Sequence, residues 1–281
     1  MLAFSALVAG SFSLGSMIAN DIDPVALTAV RFLLAALLVG ALAAPGLRPA
    51  HFAAPWRYLA LGGLFAIYFV LMFEGLKTAP PVSTAAVFTL IPIMAGGFGW
   101  LLLRQTMTRR MALALAIGGA GALWVIFRAD LGALLAFEIG RGEAIYFAGC
   151  IAHALYAPLL PRLNRGEPTA VFTFGVLAAG TLCLAAVGAP AIGATAWLAL
   201  PPLVWLVILY LAVIASAATF LLLQFASMRL KAAKVMAYTY LTPSWVILWE
   251  IALGRGAPPA LVLPGIALTV IALLTLLKSE R

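Results

Sequence analysis

Residues 75–104 read GLKTAPPVSTAAVFTLIPIMAGGFGWLLLR, and residues 226–255 read ASMRLKAAKVMAYTYLTPSWVILWEIALGR. Laid over each other without a gap, Leu90 falls on Leu241, Pro92 on Pro243 and Arg104 on Arg255. Identity is weak, but the plan is shared: a short polar connector, an apolar helix with proline near its middle, and an arginine at the far end. An internal duplication is the economical reading.

The sequence around both stretches defines the solvent. Of 281 residues, 65% are hydrophobic and only 9% charged, and the mean hydropathy is +1.14. Soluble domains run at about 45–50% apolar and about a quarter charged. The chain is therefore read as an all-α integral membrane protein. Ten apolar blocks, each long enough for a hydrocarbon core of about 30 Å, fall near 1–19, 24–44, 56–76, 81–103, 110–128, 143–163, 168–189, 202–226, 232–253 and 259–277. The connectors are short, and the longest, 128–143, has room for a turn or a surface helix. No soluble domain is expected. The first block lacks a basic n-region and a small-residue cleavage site, so it reads as a helix and not as a signal peptide. Cys150 and Cys183 both lie inside apolar blocks, which suggests neither a disulfide framework nor a metal site.

Orientation follows from Lys and Arg, which accumulate in cytoplasmic loops. With the N-terminus inside, twelve fall on the cytoplasmic side, namely Arg48, Arg57, Arg104, Arg109, Arg110, Arg162, Arg165, Arg229, Lys231, Lys234, Lys278 and Arg281. Four fall opposite: Lys77, Arg128, Arg141 and Arg255. The opposite face instead collects Asp21, Asp23, Asp130, Glu138 and Glu143. Both termini are thus expected in the cytoplasm. The net charge of +8 is then a topology signal and requires no nucleic-acid partner.

Five helices is an odd number, so a second copy must enter the membrane from the opposite side. The charges agree: the connector before residue 80 holds only Lys77, whereas its counterpart holds Arg229, Lys231 and Lys234. The expectation is two inverted five-helix repeats (5+5), residues 1–130 and 141–281. Inverted repeats build secondary transporters, with the substrate site near the bilayer midplane between the halves.

The stretch DIDPVALTAVRFLLAALL (21–38), the paired LxP helices at Pro92 and Pro243, and the 5+5 plan together resemble the EamA-like branch of the drug/metabolite transporter superfamily. Within that branch the overall likeness is greatest to the aromatic amino acid exporters of the bacterial inner membrane. The resemblance implies ten helices, a central cavity, and alternating access that exports amino acids or related metabolites. One departure is that relatives often carry Glu where this chain has Arg104 and Arg255.

Several residues are candidates for the site. In AIYFAGCIAHALYAPLL (144–160), Tyr146, Gly149, Cys150, His153, Tyr156 and Ala157 form one stripe at helical spacing. His153 reads either as an imidazole that contacts substrate or takes up a coupling proton, or as a packing histidine. The first block offers Ser5, Phe12 and Ser16 on one face, and the eighth Ser216, Thr219 and Gln224. Tyr238 and Tyr240 flank Pro243, and Tyr240 is favoured as a cavity wall. Each mid-helix proline releases a carbonyl one turn earlier, near Phe88 and Thr89 for Pro92, so both prolines are candidate hinges. Glu74 is either an interfacial partner of Lys77 or a titratable gating group facing the cavity. Arg31 is expected to snorkel towards the outer interface or to pair with an outer carboxylate, and Glu250 to pair with Arg255.

No catalytic set and no cofactor are expected. The chain has no Walker A loop, no HExxH pair, no G-x-S-x-G elbow and no acidic cluster for a metal. An intramembrane enzyme using His153 with Glu74, and a purely structural subunit, stand as the alternatives to a carrier of a small molecule across the bilayer.

Overall fold

The computed structural model describes residues 1–136 and 138–277. Lys278 and Arg281, counted above for orientation, lie outside the described residues. Among the described residues every regular element is helical. The helices are α1 (Leu2–Ile18), α2 (Pro24–Ala43), α3 (Trp56–Leu76), α4 (Pro81–Phe88), α5 (Ile91–Leu103), α6 (Arg109–Ile126) and α7 (Leu131–Ala136). They continue with α8 (Arg141–Leu163), α9 (Thr169–Ala194), α10 (Pro202–Ala212), α11 (Thr219–Ser227), α12 (Ala232–Ala237), α13 (Thr242–Ala252) and α14 (Leu263–Leu277).

Among the described residues, eight helical stretches are long and apolar enough to cross a membrane. In one of them α4 and α5 form a single stretch, and in another α10 and α11 are joined through a π-helical segment, Val213–Ala218. The two remaining apolar blocks fall short for visible reasons. α1 has only 17 residues, and 232–252 carries Lys234, Glu250 and the polar run around Tyr238–Ser244, which lower its hydropathy.

The chain's punctuation sets the ends. Pro24, Pro81 and Pro202 open their helices, where a missing N–H costs nothing. Asp23 caps α2 by accepting from the amides of Val25 (2.8 Å) and Ala26 (3.2 Å). The connector after Arg128 holds the short exposed helix α7. Boundaries shift by a few residues, most at α9, which runs through Pro190 to Ala194 and does not stop at 189. The proline sits in the last turns, so it removes one hydrogen bond where few remain to lose.

Glycine contacts draw the helices together. A Cβ at Gly62 of α3 would lie 2.4 Å from the backbone nitrogen of Gly180 in α9. Gly75 meets Gly142 across α3 and α8, and Gly121 meets Gly265 across α6 and α14, in the same backbone-to-backbone way. Small residues at such crossings let apolar helices pack closely where lipid gives no hydrophobic drive. The main packed pairs are α2 with α9, α6 with α14, and α3 with both α8 and α9. α1 packs on α13, and α5 on both α8 and α12. Leucines such as Leu37, Leu42 and Leu206 stay exposed on the outer surface, as a lipid-facing wall requires.

Both LxP segments break in the same way. Leu90 has φ −80°, ψ −16° and Leu241 φ −83°, ψ −13°, and the following proline lies in the first turn of α5 or α13. Pro80 (φ −62°, ψ 146°) and Lys231 (φ −60°, ψ 144°) start the two segments alike. The segments close on left-handed residues, Arg104 (φ 53°) and Gly254 (φ 73°).

Candidate functional site

At the centre, α1, α3, α4, α8 and α11 enclose a cavity whose lining includes Val8, Phe65, Tyr68, Phe88, His153 and Phe220. Its free volume is about 10 Å³, at the threshold for one water molecule. This conformation is closed at its middle. The aromatic side chains close it: Phe65 lies 3.9 Å from Tyr156 and 4.4 Å from Phe220 between ring centroids. The hydroxyls of Tyr68 and Tyr146 are hydrogen-bonded at 3.0 Å.

His153 is 2% exposed, with its ring 4.4 Å from Tyr68, 4.9 Å from Phe65 and 5.6 Å from Phe88. Neither of its ring nitrogens has a hydrogen-bond partner among the described residues. Phe12 joins the same cluster through Phe88 (5.6 Å) and Tyr146 (5.9 Å). His153, Tyr156, Phe88 and Phe12 are thus brought together. Thr89 is buried at the helix break and donates to the Ala86 carbonyl at 2.6 Å.

Other candidates lie elsewhere. Tyr240 is fully buried, but in a second cluster with Met111, Leu115 and Leu273, its ring against Gly118. Tyr238 packs on the same cluster. Gln224 is buried in α11 with Nε2 unpartnered among the described residues. Ser16 accepts from Arg255 at 3.0 Å, near the end of α1. Glu74 forms a half-exposed ion pair with Lys77 at 2.7 Å at the end of α3. Glu250 faces Arg255 at 3.6 Å.

Arg31 departs most from expectation. It is fully buried in α2 and does not reach the interface. Its Nε donates to Ser216 Oγ (2.9 Å) and its Nη2 to the Ala215 carbonyl (3.0 Å), while the guanidinium lies 3.8 Å over the Phe69 ring. Both hydrogen-bond partners belong to the π segment. The sequence signal was the lone charge in an apolar run. Nothing local marked residues 185 positions away as its partners.

The two ends of the bundle differ. At one, Arg57 Nη2 meets Glu167 at 2.7 Å with both side chains buried, and Nη1 donates to the Leu163 carbonyl. Burial pushes the Glu167 carboxyl up, but the hydrogen bonds from Arg57 and the Arg165 amide outweigh it and hold the group below its ordinary range. The Ala232 amide donates to Gln105 at the same end. At the opposite end, a pocket of about 270 Å³ opens among Ser83, Arg128, Glu250, Arg255 and neighbouring prolines. Ser83 there donates to Glu143 at 2.7 Å.

A chain with eight membrane-length apolar helices and this buried helical core is a multi-pass membrane protein. Residues 1–127 match the EamA-like transporter family. Over 180 residues the chain is 27% identical to the "Uncharacterized transporter YyaM" of Bacillus subtilis (strain 168), covering 62% of this chain and 59% of that relative. A solved crystal structure shares the fold over 100% of this chain and 98% of its own, with a TM-score of 0.72 and 22% identity.

Proposed function

We propose that this protein is a secondary transporter that exports amino acids and related small metabolites across the bacterial inner membrane by alternating access. The observation that carries the reading is the closed central cavity. Helices from both halves of the chain wall it, and it holds a buried imidazole with no partner among the described residues. A buried polar group left unpaired costs about 1–3 kcal/mol, a cost relieved when a polar ligand enters.

In this reading ten helices form two inverted five-helix repeats, with both termini in the cytoplasm. Several observations support it. The backbone repeats at Pro80 and Lys231 and again at Leu90 and Leu241. Helix packing also respects a twofold relation: α2 pairs with α9 and α6 with α14, each with its own counterpart, and α5–α8 has its counterpart in α13–α1. The family match over residues 1–127 and the transporter name of the Bacillus relative point the same way.

Counterflow in proteoliposomes tests the reading. Labelled amino acid should accumulate transiently only when unlabelled substrate is trapped inside, and should emerge chemically unchanged. No exchange across a panel of amino acids, or recovery of a converted product, would overturn it.

A further inference from the structure

We infer that Arg31 is an anion-binding group, which takes the carboxylate of a substrate whose apolar body lies among Phe65, Phe88 and Phe220. At the guanidinium itself the site would then select for a carboxylate over an ammonium. The inference rests on the carrier reading above and adds to it the chemical class of what is carried.

Arg31 lies at the eighth position of α2, roughly 10 Å from the helix start at a rise of about 1.5 Å per residue, and is 0% exposed. A guanidinium at such depth is costly, and intramembrane charges of this kind mark substrate or ion paths. All the partners recorded for it are neutral: a hydroxyl, a backbone carbonyl and the faces of Phe69 and Phe73. Nη1 is buried and has no hydrogen-bond partner among the described residues.

Among the described residues no carboxylate contacts Arg31. The acidic residues among those described lie in connectors or near helix ends. The deepest three are engaged there, Glu143 by Ser83, Glu167 by Arg57 and Glu250 opposite Arg255. Among the described residues, the Arg31 guanidinium therefore has no carboxylate beside it. Low dielectric magnifies such a charge, attracting anions and repelling cations.

The guanidinium sits directly behind the cavity wall. Phe69 and Ala215, both in contact with Arg31, also line the cavity, and His153 lines it with both ring nitrogens free of partners among the described residues. The seam that shuts Arg31 off is aromatic, with Phe69 and Phe220 stacked at 6.0 Å and an interplanar angle of 11°. Parting α3 from α11 along that seam would uncover the guanidinium behind Phe69, with Nη1 free to take a ligand. A carboxylate there accepts from the planar fork, and the imidazole N–H can supply a further donor.

The test is a thermal-shift titration of the purified protein with matched ligands, from acetate and ethylamine up to 3-phenylpropanoate and 3-phenylpropylamine, with the corresponding amides. Ligands that bind the folded state raise Tm. At least one carboxylate should bind about tenfold or more tighter than its amine and amide, the scale of a charged hydrogen bond. Arg31→Gln should erase that preference, and Arg31→Lys should keep it with weaker affinity. Because the pairs are compared on the parent protein, poor folding of either variant leaves the test intact. Amines that bind as well as carboxylates, or a series in which no carboxylate binds, overturn the anion site. Carboxylate binding without counterflow supports the site and removes the carrier reading. Counterflow with equal preference for amines does the reverse.

Discussion

His153 occupies the one position where the aromatic packing encloses a strongly polar ring. With both nitrogens unpaired among the described residues, the imidazole costs the closed state free energy and contributes nothing that an apolar side chain of similar size would not. His153→Leu should therefore leave the melting temperature unchanged or raise it. The same change should weaken amino-acid binding by about tenfold if the ring donates to or accepts from substrate. A variant of lower stability and parental affinity would instead assign His153 to helix packing. Glu167 makes a prediction with a sign. Its folded carboxyl is held below its ordinary range, so the Arg57 pair adds stability above that range and loses it as pH falls through the folded value. The melting temperature of the parent should drop on acidification from about pH 5 to below pH 4, from just above the ordinary carboxylate value of about 4.3 down through the lower folded value. Glu167→Gln should melt lower at neutral pH and show a shallower acid slope. Equal slopes in the two proteins would mean that other groups dominate the acid limb.

Elements were largely legible because length and proline carry strong physical meaning in a membrane. Apolar runs of about 20 residues are forced into helices, since hydrocarbon offers the backbone no partners. The blocks read from 24, 81 and 202 do begin there, on Pro24, Pro81 and Pro202, and Glu74 pairs with Lys77 as one of its two readings had it. What escaped has a reason as well. Tyr238–Leu241 is 3₁₀, with about 3.0 residues per turn, a change of helix type that no residue pattern in the stretch announces. Tyr240 lies there against Gly118, outside the lining of the central cavity. Arg31 finds its partners in a π segment, whose register no local pattern announces. The two breaks themselves are testable. Pro92→Ala together with Pro243→Ala restores an N–H to each break; the pair should slow counterflow while leaving expression near parental. Unchanged exchange would deny the breaks a hinge role. Close packing gives a second comparison: Gly62→Ala must push its new methyl into Gly180 and the Val176 carbonyl, whereas Gly63→Ala meets nothing within 4 Å. Overpacking of this kind costs about 1–3 kcal/mol, so the first variant should melt lower and the second should not.

At the scale of the whole molecule, the two ends of the bundle are chemically unlike. One end is drawn shut by the buried Arg57–Glu167 pair and by Gln105 accepting from Ala232. The other keeps a pocket of about 270 Å³ with a mixed rim of Arg128, Glu250 and Arg255. The excess of Lys and Arg over the loops sorts with the shut end, and basic loops are retained in the cytoplasm. If the orientation is as proposed, the end held by the buried Arg57–Glu167 pair faces the cytoplasm. Single-cysteine labelling checks the orientation on which that inference depends, using a background in which Cys150 and Cys183 are replaced. Gly193, exposed near the end of α9, and Thr108, exposed at the start of α6, lie at opposite ends of the proposed topology. A membrane-impermeant maleimide added to intact cells should react with Gly193→Cys and spare Thr108→Cys until the membrane is permeabilised. Thr108 also caps α6 through the Met111 amide, so a neighbouring cysteine at exposed Met107 should give the same protection without loss of the cap. Labelling at 107 and 108 with protection at 193 would invert the molecule, making the sealed end the outer one and turning the proposed direction of transport around.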